Sequence, residues 1–219
     1  MDATAVADLS PLAGMPLKFL KCYRQTKIID FSPLQGAPLE EADFTATGIS
    51  DLRALAGMPL RTLKISETRV TDLSSLRGLP LEDLSLVNLP ITTLEPLRGM
   101  KLRKLDIGGG TTVTDLSPLA GMPLEGLYSD NSRLHDISPL AGMPLRELYI
   151  GKTSVKDVTP PATCRELEIL SIPEGCAGVE LLRQLPKLRR LAYISFETGA
   201  QTAEEFWKAY DVKKAAGGR

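Results

Sequence analysis

The sequence predicts a right-handed α/β solenoid with a curved parallel β-sheet on its concave side, short 3₁₀ or helical turns on its convex side and a helical C-terminal cap. The segment DLSPLAGMPL stands at 8–17 and again at 115–124, and related segments start every 21 or 22 residues. Leucine accounts for 36 of 219 residues, well above its usual share. A unit of this length cannot hold both a strand and a full helix, so each unit must be one coil that buries its apolar face against its neighbours.

Each coil starts with a short strand, as the unit that begins at Leu60 illustrates. Leu63 and Ile65 are apolar and Lys64 lies between them, which is the period of two of a strand with one buried face. In the following DLSPL segment, Asp and Ser are good caps and Pro fits the first position of a helical turn. A glycine then ends each turn, where a positive φ costs least. These glycines are Gly14, Gly36, Gly57, Gly78, Gly99, Gly121 and Gly142.

From Leu17 to about Ile194 the coils resemble the leucine-rich repeat family, whose pattern is L-x-x-L-x-L-x-x-N-x-L. The resemblance implies that asparagine amides bond the backbone where the strand turns away. Here that position holds mostly hydroxyl residues, and a hydroxyl donates one such bond but does not bridge as an amide does. We therefore expect a threonine ladder instead, formed by Thr26, Thr47, Thr68, Thr111, Ser132 and Thr153, with Leu89 as an exception.

The domain organisation predicted from this pattern is a solenoid of about nine coils over 1–195, a capping helix within 196–212 and a disordered tail over 213–219. Val179–Leu185 predicts a proper short helix, and Ala203–Tyr210 predicts an amphipathic helix that places its aromatic side chains over the last coil. The sequence starts in the middle of a coil, so we expect that it is cut from a longer chain or that an upstream domain is missing; a partner that covers the first coil is the third alternative.

Composition excludes several classes of function. With 26 basic and 27 acidic residues the net charge is −1, which gives no reason to expect binding to nucleic acid or to an anionic membrane. No apolar run approaches the ~20 residues of a spanning helix, and no secretory signal is visible at the start. Three cysteines do not make a disulfide framework. We expect a cytoplasmic monomer, with Cys22 as a buried inert thiol and pairing of Cys164 with Cys176 left open.

Catalytic and ligand-binding motifs are weak. Gly151–Lys152–Thr153 ends like a phosphate loop, but Arg146 stands where the loop needs a glycine. Gly108–Gly110 lacks the strand and helix of a dinucleotide site and is better explained as an inserted turn. His135 falls in a solvent-facing turn, and a metal site at the cysteines would need more ligands. We expect no catalytic residues, no metal and no cofactor, and hence no enzyme.

The residue that follows the first leucine of each coil is charged, and the sign of its charge alternates from one coil to the next. Adjacent coils in a parallel sheet lie ~4.8 Å apart, so each charge has opposite neighbours on both sides. We expect these charges to stabilise the stack and to oppose a slip by one coil, since a slip would place like charges together. The charge ladder consists of Lys18, Glu40, Arg61, Glu82, Arg103, Glu125, Arg146, Glu168 and Arg189.

The concave face is the predicted binding surface. Tyr128 and Tyr149 should lie side by side on neighbouring strands, and tyrosine is a favoured interface anchor. The alternative is that the two rings only shield the sheet. The proposed partner-binding residues are Tyr128, Tyr149, Asp106, Asp130, Glu147 and Lys104. Phe19 and Tyr23 form a second patch near the first coil.

A rigid exposed sheet without catalytic groups predicts a scaffold that binds a protein or peptide. Two alternatives stay open. The segment AEEFWKAYD and the DLSPLAGMPL blocks are similar to the leucine-rich tails that follow serine/threonine kinase domains in large bacterial proteins, which implies a regulatory or targeting tail of a larger enzyme. The other alternative is a surface adhesin of internalin-like type.

Overall fold

The computed structural model describes residues 6–193 and 201–216. Within this part of the chain nine strands form one parallel sheet in which each strand pairs with the next one along the chain. The strands are β1 Phe19–Lys21, β2 Glu41–Asp43, β3 Thr62–Lys64, β4 Asp83–Ser85, β5 Lys104–Asp106, β6 Gly126–Tyr128, β7 Glu147–Tyr149, β8 Ile169–Ile172 and β9 Arg190–Tyr193. The predicted solenoid is confirmed.

The apolar side chains of successive coils stack in register. Leu63 pairs with Leu84, and Leu84 with Leu105, so the inward side chain of each strand meets its equivalent in the next coil. All three are fully buried. Because the strands are only three or four residues long, this aliphatic column rather than the length of any strand fixes the register.

Short 3₁₀ turns form the convex side, as predicted. They span Ser10–Leu12, Ser32–Leu34, Arg53–Leu55, Ser74–Leu76, Glu95–Leu97, Ser117–Leu119, Ser138–Leu140, Pro160–Thr163 and Val179–Gln184. The predicted proper helix near Val179 is thus a longer 3₁₀ segment. The glycine that ends each of the first seven turns has a φ of 70–77°, the left-handed region where only glycine avoids a steric cost.

An aspartate precedes most of these turns and bonds their first residue. Asp72 is typical, since its Oδ1 accepts hydrogen bonds from the Ser74 backbone N–H at 2.8 Å and from the Ser74 hydroxyl at 2.6 Å. These bonds stabilise the ionised carboxylate and lower the pKa of Asp72. The side-chain and backbone donors of the residue two positions later also lower the pKa of the other turn aspartates, Asp8, Asp30, Asp51, Asp115, Asp136 and Asp157. At Asp51 the side-chain donor is the Arg53 guanidinium rather than a hydroxyl.

Where the chain leaves the strand, hydroxyl groups bond the backbone of their own coil. Thr47 and Thr68 each donate a hydrogen bond at 2.7 Å to the carbonyl three residues earlier, and Thr153 does the same. The expected hydroxyl ladder is therefore made of separate bonds within coils. It fails at Thr26, which is exposed, and the buried Ser132 hydroxyl has no partner in the described part of the chain.

A left-handed residue at the same turn was not predicted. Ala46, Glu67 and Lys152, each directly before a ladder threonine, have φ values of 53–57°. An L-residue pays a steric cost there, which asparagine and glycine largely avoid. Asn88, Gly109 and Asn131 occupy this position in other coils. The steric cost of the positive φ is therefore lower in those coils than in the coils with Ala46, Glu67 and Lys152.

Helix α1, Ala203–Ala215, covers the outer edge of β9. A capping box between Thr202 and Glu205 starts the helix, and the Ala203 N–H donates to the Arg189 carbonyl at 2.8 Å. Phe206 is buried, with its ring centroid 4.8 Å from that of Tyr193. The predicted aromatic cap is thus present, although residues 196–200 lie outside the described ranges.

The expected disordered tail needs correction, because α1 continues past 212. Lys213 pairs with Glu174 at 2.5 Å and Lys214 with Glu180 at 2.7 Å, which ties the last helical turn to the final coils. Residues 213–215 are therefore helical, and residues 217–219 are not described.

The three cysteines are free thiols. Cys164 is buried with its Sγ 3.2 Å from the Leu140 carbonyl oxygen, and Cys176 lies 3.2 Å from the Pro173 carbonyl oxygen. Cys22 is half-buried rather than fully buried, and burial raises its pKa to about 11. Of the helices that the structure describes, none has the length and apolar character needed to cross a membrane.

Candidate binding surface

The charge ladder forms discrete pairs along one margin of the concave sheet. The first four basic residues each bind the acidic residue of the next coil. The pairs are Lys18–Glu40 at 2.8 Å, Arg61–Glu82, Arg103–Glu125 at 2.5 Å and Arg146–Glu168 at 2.7 Å. The ladder residues were expected to have partners on both sides, but each side chain leans toward one neighbour and so moves away from the other. These charges are engaged within the protein.

The predicted partner-binding residues lie together on the concave face. Asp106, Tyr128 and Tyr149 are consecutive partners across β5, β6 and β7. Lys104 and Glu147 lie one row nearer the ladder, on either side of Gly126. The second patch consists of Phe19 on β1 and Tyr23 just after it, so it lies at the N-terminal edge of the sheet, four strands from β5.

Tyr128 and Tyr149 form the centre of this surface. Their ring centroids are 5.2 Å apart at an interplanar angle of 36°, within the range of favourable aromatic pairs. The Tyr128 hydroxyl donates a hydrogen bond to Glu147 Oε2 at 2.7 Å. Burial, this bond and the negative charge of Glu147 all raise the pKa of Tyr128. Both rings remain partly exposed, so they are held in place yet still reachable.

Gly126 is a position within this surface that the sequence analysis did not single out. A Cβ added here would lie 3.0 Å from the Tyr128 hydroxyl and 3.1 Å from the ring carbon Cε2. The Tyr128 ring therefore occupies the space above Gly126, which lets the hydroxyl reach Glu147. The available signal was a glycine at a strand position, which often marks a close approach by another group.

Two carboxylates flank the tyrosines. Asp106 Oδ1 accepts a hydrogen bond from the Gly108 N–H at 3.0 Å, but burial and the neighbouring charge of Asp83 raise the pKa of Asp106. On the other side, Asp130 Oδ1 accepts from the Ser171 hydroxyl at 3.2 Å. Asp83 is the second residue that the sequence analysis left out of the site.

A shallow hollow of about 210 Å³ lies next to Tyr128 on its β5 side. It is lined by Lys64, Asp83, Ser85, Lys104, Asp106 and Tyr128. A second hollow of about 170 Å³ lies toward the ladder, where Glu147 and Ile169 contribute to its wall. Tyr128 and Lys104 line both hollows and lie between them. Within the described ranges no three His, Cys, Asp or Glu side chains are grouped to hold a metal ion.

Comparisons with known proteins agree with the solenoid fold. No family model and no curated protein matches the sequence. Among solved structures, an internalin (inlF) from Listeria monocytogenes str. 4b F2365 superposes with a TM-score of 0.66 at 24% identity, over 86% of this chain and 66% of that one. Internalin C2 from the same organism superposes with a TM-score of 0.60 at 30% identity, over 71% of this chain and 76% of that one.

The chain thus spans about two thirds of the first internalin and about three quarters of the second. The first likeness supports the solenoid fold, and the second extends to sequence over most of both chains. Together with nine parallel strands in chain order and 3₁₀ turns between them, they establish that this chain belongs to the leucine-rich repeat family.

Proposed function

We propose that this protein is a non-catalytic scaffold that binds a protein or peptide on its concave sheet, centred on Tyr128 and Tyr149. The observation that carries the proposal is that Glu147 fixes Tyr128 against its neighbour while both rings stay partly exposed. An aromatic side chain that is already ordered loses little entropy on binding and still offers a large contact area. Shielding of the sheet would not require this anchoring bond.

The distribution of ion pairs supports the same surface. Ladder charges neutralise each other in pairs. By contrast, the described residues provide no ion-pair partner within 4.0 Å for Lys64, Asp83, Lys104 or Asp106. Charges left unpaired on a concave face can be matched by a partner at little cost, because no internal pair has to break.

The second candidate is a surface adhesin of internalin-like type, favoured by the likeness to two internalins. It differs from the expected cytoplasmic scaffold in where the native protein resides. Fractionation of the native cells separates the two: recovery in the surface fraction supports the adhesin, and recovery in the cytoplasm supports the scaffold. A kinase domain continuous with this chain in the gene would instead support the regulatory tail.

A pull-down followed by mass spectrometry tests the proposed surface. The double variant Tyr128→Ala/Tyr149→Ala should lose most of its affinity for the captured partner, on the order of ten-fold or more for central aromatic anchors. The matched control is Phe19→Ala/Tyr23→Ala, which removes two aromatic rings from the other end of the same face. Equal binding by the Tyr128 and Tyr149 variant and the wild type would show that this patch is not the site.

A further inference from the structure

In the hollow beside Tyr128 the acidic side chains are more deeply buried than the basic side chains. Asp83 and Asp106 are half-buried, whereas Lys64 and Lys104 are exposed. Long lysine side chains keep their ammonium groups in water while their stems cover the surface. The inner part of the hollow is therefore formed by two carboxylates and the Tyr128 ring, and the positive charges lie at its rim.

The two inner carboxylates repel each other. Burial raises the pKa of Asp106 most, and the charge of Asp83 raises it further. Burial also contributes most to the raised pKa of Tyr128, and the hydrogen bond and charge of Glu147 and the charge of Asp83 add to it. The contributions of Asp83 and Glu147 reflect a local negative potential that a cation would relieve. A carboxylate entering the same space would add a third negative charge to a partly desolvated pair, which is unfavourable.

The size of the hollow also limits its occupant. About 210 Å³ is below the ~300–1,000 Å³ of typical small-molecule sites. It corresponds to roughly seven water molecules at ~30 Å³ each. This volume is suited to one long side chain of a bound segment rather than to an organic cofactor.

We infer that the hollow receives a lysine or arginine side chain of the partner, with its cationic group between the carboxylates of Asp83 and Asp106 and its aliphatic stem against Tyr128. This inference rests on the proposed function and names the chemistry of the segment that the concave face binds. The partner therefore presents a basic residue to β4 and β5.

NMR titration of the full chain tests this site with N-acetyl-arginine amide, using N-acetyl-citrulline amide as the neutral analogue of the same shape. The arginine probe should shift the backbone amides of Asp106 and Tyr128 at millimolar concentrations, and citrulline should not. Asp83→Asn/Asp106→Asn should weaken binding at least five-fold, whereas Asp43→Asn, in the same row as Asp106 but outside the hollow, should not. If the double variant does not fold, Asp106→Asn alone replaces it.

Equal shifts with citrulline, or unchanged arginine binding to the Asp83 and Asp106 variant, would overturn the inference. Shifts spread evenly over all acidic surface residues would do the same. The proposed function is judged separately with the captured partner. If that partner binds Asp83→Asn/Asp106→Asn normally but fails to bind Tyr128→Ala/Tyr149→Ala, the cation site is wrong and the scaffold function stands.

Discussion

The hydroxyl of Tyr128 on β6 donates a hydrogen bond to Glu147 on β7, with 2.7 Å between the phenol oxygen and Oε2. The two residues are 19 positions apart in sequence, and Tyr128 reaches Glu147 only by lying over Gly126, the register partner of Glu147. The bond joins neighbouring coils on the exposed face of the sheet. The bond therefore holds the Tyr128 ring in a fixed position on the proposed binding surface.

Replacing Glu147 should change the titration of Tyr128. The carboxylate disfavours the phenolate both as an acceptor and through its charge, so Glu147→Gln should lower the pKa of Tyr128 toward that of an ordinary tyrosine. A folded-state pKa above the unfolded value stabilises the fold fully below about pH 10, and this contribution is lost as pH rises through the folded pKa. Spectrophotometric titration of the tyrosines measures the shift.

Glu41→Gln, on the same face but far from Tyr128, is the matched control and should leave the tyrosine titration unchanged. An identical titration curve for Glu147→Gln and the wild type would contradict the assigned role of the hydrogen bond.

The direction of the ladder pairs predicts which double charge reversal restores stability. Arg103 binds Glu125 in the next coil, while Glu82 in the previous coil binds Arg61. Arg103→Glu should therefore lower the free energy of unfolding by up to about 1 kcal/mol, as expected for an exposed pair. Adding Glu125→Arg should recover most of this loss, and adding Glu82→Arg instead should recover less because it breaks the pair with Arg61. Urea denaturation of the wild type and these three variants, in low and high salt, measures the differences.

The left-handed turn positions offer a gain in stability. Lys152 has a φ of 53° and an exposed side chain, so Lys152→Gly removes a steric cost of about 1 kcal/mol and loses little packing. Lys156→Gly, at an exposed position four residues later without a positive φ, should instead destabilise. Thermal melting measures the Tm of both variants. A fall in Tm for Lys152→Gly as well as for Lys156→Gly would contradict the expected gain from relieving the positive φ.

The turn aspartates make the free energy of unfolding depend on pH in the acidic range. Hydrogen bonds from the Ser74 backbone and hydroxyl lower the pKa of Asp72 below its ordinary 3.8. A lowered folded-state pKa contributes stability that is present above the unfolded pKa and is lost as pH falls through the folded pKa. We therefore expect the wild type to lose stability progressively below about pH 4, as chemical denaturation at a series of pH values will show. Asp72→Asn keeps an acceptor oxygen but does not titrate, so its unfolding free energy should fall less steeply with acid.

The fold and most residues of the candidate site could be predicted because they depend on positions that recur. Leucines at fixed offsets, such as Leu63 and Leu84, can be buried only by stacking one coil on the next, and this stacking sets the register of every concave residue. The neighbouring positions of Tyr128, Tyr149 and Asp106 follow directly from the 21-residue spacing. The positive φ of the glycines that end the first seven turns was also predictable, since glycine tolerates that backbone best.

Only the tertiary structure decides between side-chain conformations that are equally compatible with the repeat. The sequence allows Arg103 to pair with Glu82 or Glu125, and the structure selects Glu125. The place of Tyr128 above Gly126 and the inclusion of Asp83 in the hollow likewise depend on neighbours about twenty residues away along the chain. The period fixes where each Cα lies, whereas the direction of each side chain depends on contacts with the adjacent coils that exist only once the stack has formed.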